Sequence, residues 1–246
     1  GSRIIGPGIG GGQVIEVPAL PTTVIDTTGA GDAYAAGFLA AHARGLPLAE
    51  CGRWGSAAAS EAISHFGARP QADLKALVRT VPDYPAEGIQ FRDITTLIAH
   101  GEGLSATVDH LVERARSADA AAVAGIEARG FIFGAAVAAR LGLGFVPLRK
   151  AGKLPVPAMG IDYDLEYGAA RIELDPGAIK PSERVLLMDD LLATGGTAVA
   201  GAQLLRQAGA VVEHALFVID LPELGGAEAL RGAGVTADAL IALEGH

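Results

Sequence analysis

Residues 185–197 read Val-Leu-Leu-Met-Asp-Asp-Leu-Leu-Ala-Thr-Gly-Gly-Thr. Four apolar residues end abruptly in two adjacent carboxylates, Asp189 and Asp190. A loop of small residues follows, and then a stretch of helical composition from Ala198 to Gln207. The apolar run is predicted to be a buried strand. Its carboxyl end, where the acids sit, is the end at which open α/β sheets bind ligands. The loop Ala193-Thr194-Gly195-Gly196-Thr197 opens the helix. Its bare backbone N–H groups and two hydroxyls suit a phosphate, helped by the helix dipole. Carboxylates beside a phosphate nest make sense once a sugar joins them. The acids accept hydrogen bonds from vicinal hydroxyls while the nest holds the 5-phosphate. A Walker A loop is excluded, because no Lys follows the glycines.

The bulk numbers bound the rest. At 246 residues the chain has room for one large or two small domains. Half of the residues are hydrophobic and only 19% are charged, so a sizeable core is expected. No apolar run approaches the roughly 18 residues that span a bilayer. No signal peptide is visible, and Gly1-Ser2 reads as a cloning remnant. Cys51 is the only cysteine, which excludes an intramolecular disulfide and argues against a cysteine zinc site. A reducing, cytoplasmic setting is expected. The net charge of −9 argues against general nucleic-acid binding. It does not exclude a polyanionic substrate, since exposed charges fade beyond about 8 Å at physiological salt. A local cluster such as Arg149, Lys150 and Lys153 dominates its own site. The six histidines show no metal-binding spacing.

The chain divides near residues 68–76, giving an expected first domain over 1–75 and a second over 76–246. The first opens with Arg3-Ile4-Ile5, a glycine-rich turn from Gly6 to Gly12, and Gln13-Val14-Ile15-Glu16-Val17. Gly6, Gly8 and Gly11 formally satisfy G-x-G-x-x-G, but a strand-like segment follows them where that fingerprint requires a helix. A β-hairpin is the better reading. Helices are expected from Ala33 to Ala43 and from about Leu48 to Phe66, the second ending at Gly67. Between hairpin and helices lies Val24-Ile25-Asp26-Thr27-Thr28-Gly29-Ala30-Gly31-Asp32. It resembles the carboxyl-terminal signature of the ribokinase/adenosine-kinase family of sugar kinases. That resemblance makes Asp32 the counterpart of the family's general base. It covers only the last part of such a kinase, without the upstream sheet, lid and sugar contacts. Asp32 is therefore read as a vestigial base and the segment as non-catalytic by itself.

In the second domain a helix is expected to run into Val81. A Pro-rich turn, Asp93-Ile94-Thr95 and a helix from about Ser105 to Ala115 follow. Strands are expected at Ala121–Gly125, Phe145–Leu148, Val185–Met188 and Ala215–Ile219, alternating with helices such as Gly134–Leu141. This order implies a parallel sheet covered on both faces. The stretch from Gly152 to about Ala170 holds Pro155, Pro157, Gly160 and Gly168 and no sustained periodicity. It reads as a long irregular loop of the lid type.

Asp-Asp-Leu-Leu-Ala-Thr-Gly-Gly-Thr resembles the binding loop of type I phosphoribosyltransferases, and its wording resembles the adenine-specific branch. The resemblance extends over about 76–246. It implies the type I fold: a parallel sheet flanked by helices, with a hood and a flexible lid loop. Here a small hairpin and helical kinase remnant precede it. It also implies transfer of a phosphoribosyl group from 5-phosphoribosyl 1-pyrophosphate to adenine, with Mg2+ held mainly by the substrate.

The same resemblance distributes the roles. Asp189 and Asp190 hold the ribose hydroxyls, and Ala193, Thr194, Gly195, Gly196 and Thr197 hold the 5-phosphate. Gly125-Ile126-Glu127-Ala128-Arg129-Gly130-Phe131 resembles the pyrophosphate loop, with Arg129 reaching the anion through a planar fork. Arg149, Lys150 and Lys153 form a cationic clamp at the end of the next strand. In Leu165-Glu166-Tyr167-Gly168, Glu166 takes the proton that the base loses, and Tyr167 braces the ribose and pyrophosphate. Glu166 and Arg149 are the catalytic pair. Phe91 stacks on adenine, and backbone groups near Arg92 read its edge. Small-molecule substrates, no nucleic acid, no membrane and a homodimer complete the expectation. A phosphoribosyltransferase-like regulator, a transferase for another purine, and a sugar or nucleoside kinase using Asp32 are the competing readings.

Overall fold

The computed structural model describes residues 1–6, 13–24, 27–64, 73–165 and 168–244. Its residue contacts divide into two units, Gly1–Gln71 and Ala72–His246.

In the first unit, β1 (Ser2–Gly6) pairs antiparallel with β2 (Gln13–Val17), with Arg3 opposite Glu16 and Ile4 opposite Ile15. Two helices follow, α1 (Ala30–Ala43) and α2 (Leu48–Ala62). They pack closely because glycines line the contact. A Cβ on Gly37 would lie 2.7 Å from the Trp54 carbonyl oxygen, and one on Gly55 would lie 2.9 Å from the Tyr34 ring. Gly52 likewise admits the side chains of Val17 and Ile4. Helix α1 starts three residues earlier than the sequence suggested, so Asp32 sits in its first turn, exposed to solvent. The expected end of the second helix at Phe66 and Gly67 lies outside the described residues.

The second unit begins with a correction. The expected helix into Val81 is absent. A turn over 74–77 leads instead into β3 (Arg79–Pro82), which pairs antiparallel with β4 (Gln90–Asp93). Thr80 and Val81 are β-branched and find partners in Arg92 and Phe91, which overrides the preceding helical composition. The chain continues through α3 (Thr95–Ala99), α4 (Gly101–Arg116), β5 (Ala122–Ile126), α5 (Gly130–Leu141) and β6 (Gly144–Lys150). Then come β7 (Met159–Leu165), β8 (Gly168–Leu174), β9 (Val185–Leu192) and α6 (Gly196–Gln207). The last elements are β10 (His214–Asp220), α7 (Gly226–Gly232) and β11 (Thr236–Ala242).

Seven strands form one sheet in the order β11-β10-β9-β5-β6-β8-β7. From β11 to β6 all neighbours are parallel, as the alternation of strands and helices implied. The β7–β8 hairpin adds an antiparallel edge. Strand β7 and the start of β8 fall in the stretch from Gly152 to about Ala170 that reads as irregular loop. Met159, Ile161 and Tyr163 alternate along β7 and pack on the core, a period-2 pattern that the surrounding prolines and glycines had masked. Strand β9 is buried on both faces. Leu187 joins the core beneath α6, with Leu148, Leu204 and Phe217. Leu186 and Met188 join the core beneath α4 and α5, with Leu111, Phe133 and Val137. Burial on both faces explains why β9 reads as an unbroken apolar run.

Asp93 joins the β3–β4 hairpin to α3. It accepts from the Thr95 backbone N–H at 2.9 Å and is ion-paired with Arg79. Its hydrogen bonds to Thr95 and Arg79 hold its pKa down to about 2, against an ordinary 3.8. A depressed carboxylate stabilises the fold above its unfolded pKa, and that stability is lost as pH falls through the folded value. The stability gap between wild type and Asp93→Asn should therefore be constant above about pH 5 and shrink between about pH 4 and 2. Urea titrations of both proteins across this range check it.

Candidate active site

The carboxyl ends of β9 and β5 meet at one cleft. Arg129, Asp189, Asp190 and the run Leu191 to Ala198 line it, and its volume is about 400 Å³. The sequence-expected residues Ala193, Thr194, Gly195, Gly196 and Thr197 are all on this wall. Strand β9 extends through Leu192, so both acids belong to the strand and not to the loop after it.

The loop owes its shape to two glycines far apart in sequence. Gly195 precedes α6 with φ +84°, a left-handed conformation that side chains disfavour. A Cβ there would lie 2.9 Å from the Gly226 carbonyl oxygen. A Cβ on Gly226 would lie 2.3 Å from the Ala193 carbonyl oxygen. The loop thus rests directly on the first turn of α7. Gly226 was not singled out in the sequence, where nothing local distinguishes it from the other glycines.

The two acids differ in environment. Asp190 is buried, and Arg129 Nε donates to its Oδ2 at 2.5 Å. Asp189 Oδ1 accepts from the Asp190 backbone N–H at 2.8 Å. The same oxygen lies 2.8 Å from where a Gly130 Cβ would be, so only glycine leaves it room. Burial, then the neighbouring charge of Asp190, raises the Asp189 pKa well above the ordinary carboxylate value. Burial opposes the charge of Arg129, but the hydrogen bond and charge of Asp190, with the charges of Asp189 and Asp93, more than offset it. The Asp93 influence brings the foot of the β3–β4 hairpin electrostatically close to this cleft.

Arg149 and Lys150 end β6, next to the Arg129 loop. Arg149 Nε donates to Glu127 Oε2 at 3.4 Å, and the Lys150 backbone N–H donates to the same oxygen at 2.9 Å. A second guanidinium nitrogen of Arg149 donates to the Lys153 carbonyl at 3.1 Å. Lys150 and Lys153 are exposed. The sequence reading had given Glu127 no role. Its signal was its place two residues before Arg129, but its partners lie more than 20 positions away. The Gly152 N–H donates to Glu173 at 2.9 Å, fixing the turn after β6 to β8.

Phe91 lies half-buried in β4, its ring 5.2 Å from that of Tyr84 in an edge-on contact. Arg92 donates to Thr80 Oγ1 at 2.6 Å and to the Glu244 carbonyl at 2.5 Å. Glu166 and Tyr167 lie outside the described residues. Asp32 belongs to the first unit. Among the described residues no group of three or more His, Cys, Asp and Glu side chains is arranged to hold a metal ion. No described helix is long and apolar enough to cross a membrane.

Residues 1–74 match the family model of pfkB family carbohydrate kinases, and residues 98–225 match that of the phosphoribosyl transferase domain. An adenine phosphoribosyltransferase of Novosphingobium aromaticivorans is 71% identical over 174 residues, covering 71% of this chain and 98% of that protein. The crystal structure of adenine phosphoribosyltransferase from Thermoanaerobacter pseudethanolicus aligns with a TM-score of 0.67 and 38% identity, covering 70% of this chain and 98% of that one. The enzyme of Giardia lamblia, solved with 9-deazaadenine, aligns with a TM-score of 0.66 and 36% identity, covering 70% of this chain and 96% of that one. The fold, the cleft and these likenesses together place the chain in the adenine phosphoribosyltransferase family.

Proposed function

We propose that the chain transfers the 5-phosphoribosyl group from 5-phosphoribosyl 1-pyrophosphate to adenine, giving AMP and pyrophosphate in purine salvage. The observation that carries this reading is that Asp189, Asp190, the 193–197 loop and Arg129 line one cleft. A sugar phosphate needs both kinds of wall: hydroxyl acceptors on one side and phosphate donors on the other.

In this reading the loop amides and Thr194 and Thr197 hold the 5-phosphate, and Asp189 and Asp190 anchor the ribose hydroxyls. Their charge also favours an anomeric carbon that becomes cationic as pyrophosphate departs. Arg129, Arg149, Lys150 and Lys153 receive the departing diphosphate. Phe91 offers adenine a flat apolar face, and backbone groups near Arg92 read its edge. Glu166 accepts the proton lost by the base, and Tyr167 braces the ribose and diphosphate. Excluding water protects the activated sugar from hydrolysis.

Magnesium would be held mainly by substrate oxygens and water, as this hard ion prefers. When bound, it neutralises diphosphate charge. We further propose a homodimer, a cytoplasmic setting, and a division into residues 1–75 and 76–246. The first segment, with Asp32, would be non-catalytic alone.

The direct test is radiolabelled adenine with 5-phosphoribosyl 1-pyrophosphate and magnesium. AMP should form, and its absence would refute the reading. Glu166→Gln should lower kcat more than it changes KM for either substrate; unchanged kcat would remove Glu166 from proton transfer. Gly226→Ala should push the Ala193 carbonyl outward and distort the phosphate loop. It should raise KM for the sugar diphosphate by about tenfold to a hundredfold, with KM for adenine nearly constant. Steady-state kinetics at varied concentrations of each substrate separates the two.

A further inference from the structure

We propose that Glu127 is a positioning residue for the cationic clamp. The inference rests on the placement of Arg149 in the diphosphate site proposed above. Glu127 leaves the end of β5 and is joined to β6 twice. Its backbone N–H donates to the Leu148 carbonyl at 2.9 Å. Its side chain receives the Lys150 N–H at 2.9 Å and Arg149 Nε at 3.4 Å. The carboxylate is largely buried and Arg149 is half-buried, at 18% and 32% side-chain exposure, so solvent screens the pair only in part. The Lys150 hydrogen bond, opposed by burial and aided by Arg149, keeps Glu127 ionised below the ordinary carboxylate range.

The geometry gives this acid a function beyond holding two strands. Ordering an arginine side chain on an anion costs part of its rotamer freedom. Glu127 and the Lys153 carbonyl restrain Arg149 from two sides before any anion arrives. Glu127 is also two residues from Arg129, which Asp190 restrains in the same way. One acid residue therefore joins the loop that carries Arg129 to the end of β6 that carries Arg149. Preorganisation of this kind lowers the ordering cost of binding. The expected defect on losing it is confined to the anionic substrate.

The experiment compares wild type, Glu127→Gln, Glu127→Asp and Arg149→Ala, with thermal melting as the folding control. Glu127→Gln should raise KM for the sugar diphosphate by about tenfold, the scale of one lost charged hydrogen bond. The inhibition constant of pyrophosphate should rise in parallel, while KM for adenine and kcat stay within about twofold. Glu127→Asp keeps the charge and should recover most of the affinity. Arg149→Ala should raise KM for the sugar diphosphate and the inhibition constant of pyrophosphate at least as much, and adding Glu127→Gln to it should cost less than in wild type. A wild-type KM in Glu127→Gln, beside a defective Arg149→Ala, overturns the positioning role alone. An Arg149→Ala variant with unaltered KM removes the clamp from the site, and the proposal falls with it. Unfolding of both Glu127 variants also overturns it, because the carboxylate would then be a structural support.

Discussion

The Arg129–Asp190 ion pair is the constraint around which the site is organised. Asp190 is almost wholly buried at the end of a central strand, where an unpaired carboxylate is costly. Arg129 supplies the compensating charge at 2.5 Å, from the loop after the neighbouring strand. The pair ties β9 to the β5–α5 connection at the carboxyl end of these central strands, where the cleft lies. Removing either partner would leave an uncompensated charge where ligand should sit.

The same device recurs one strand further out. Glu127 holds Arg149 much as Asp190 holds Arg129. Paired cations resolve the apparent conflict between a net charge of −9 and a proposed polyanionic substrate. Arg129 follows β5, Arg149 lies at the end of the neighbouring β6, and each is paired with an acid. The proposed diphosphate would meet guanidinium groups already oriented. Asp189 stands apart. Burial and its neighbour's charge raise its pKa well above the ordinary carboxylate value.

Close backbone approach is the second constraint. Gly195, Gly226 and Gly130 stand where a methyl group would collide with backbone or carboxylate oxygen. They set the loop on α7 and the Asp189 carboxylate against α5. The first unit uses glycine differently. Gly37, Gly52 and Gly55 bring α1, α2 and the β-hairpin together. The abundance of glycine in the composition, 34 residues, thus has two separate physical uses.

Local pattern alone determined much of this protein. The apolar run ending in Asp189 and Asp190, and the small-residue loop after it, specified a buried strand, a turn and a helix start. The strand–helix alternation specified the parallel sheet. These features are legible because each is written in neighbouring residues. Tertiary structure decided what depends on partners distant in the chain. The β7–β8 hairpin is a strand pair because it found the edge of β6, despite prolines and glycines that blurred its pattern. Thr80 and Val81 became strand because Arg92 and Phe91 lay opposite. Glu127 acquired a partner more than 20 positions away, and Gly226 became the support of a loop about 30 residues before it. Sequence periodicity reports which face of an element is buried, but not which distant atom it meets, and these last features consist entirely of such meetings.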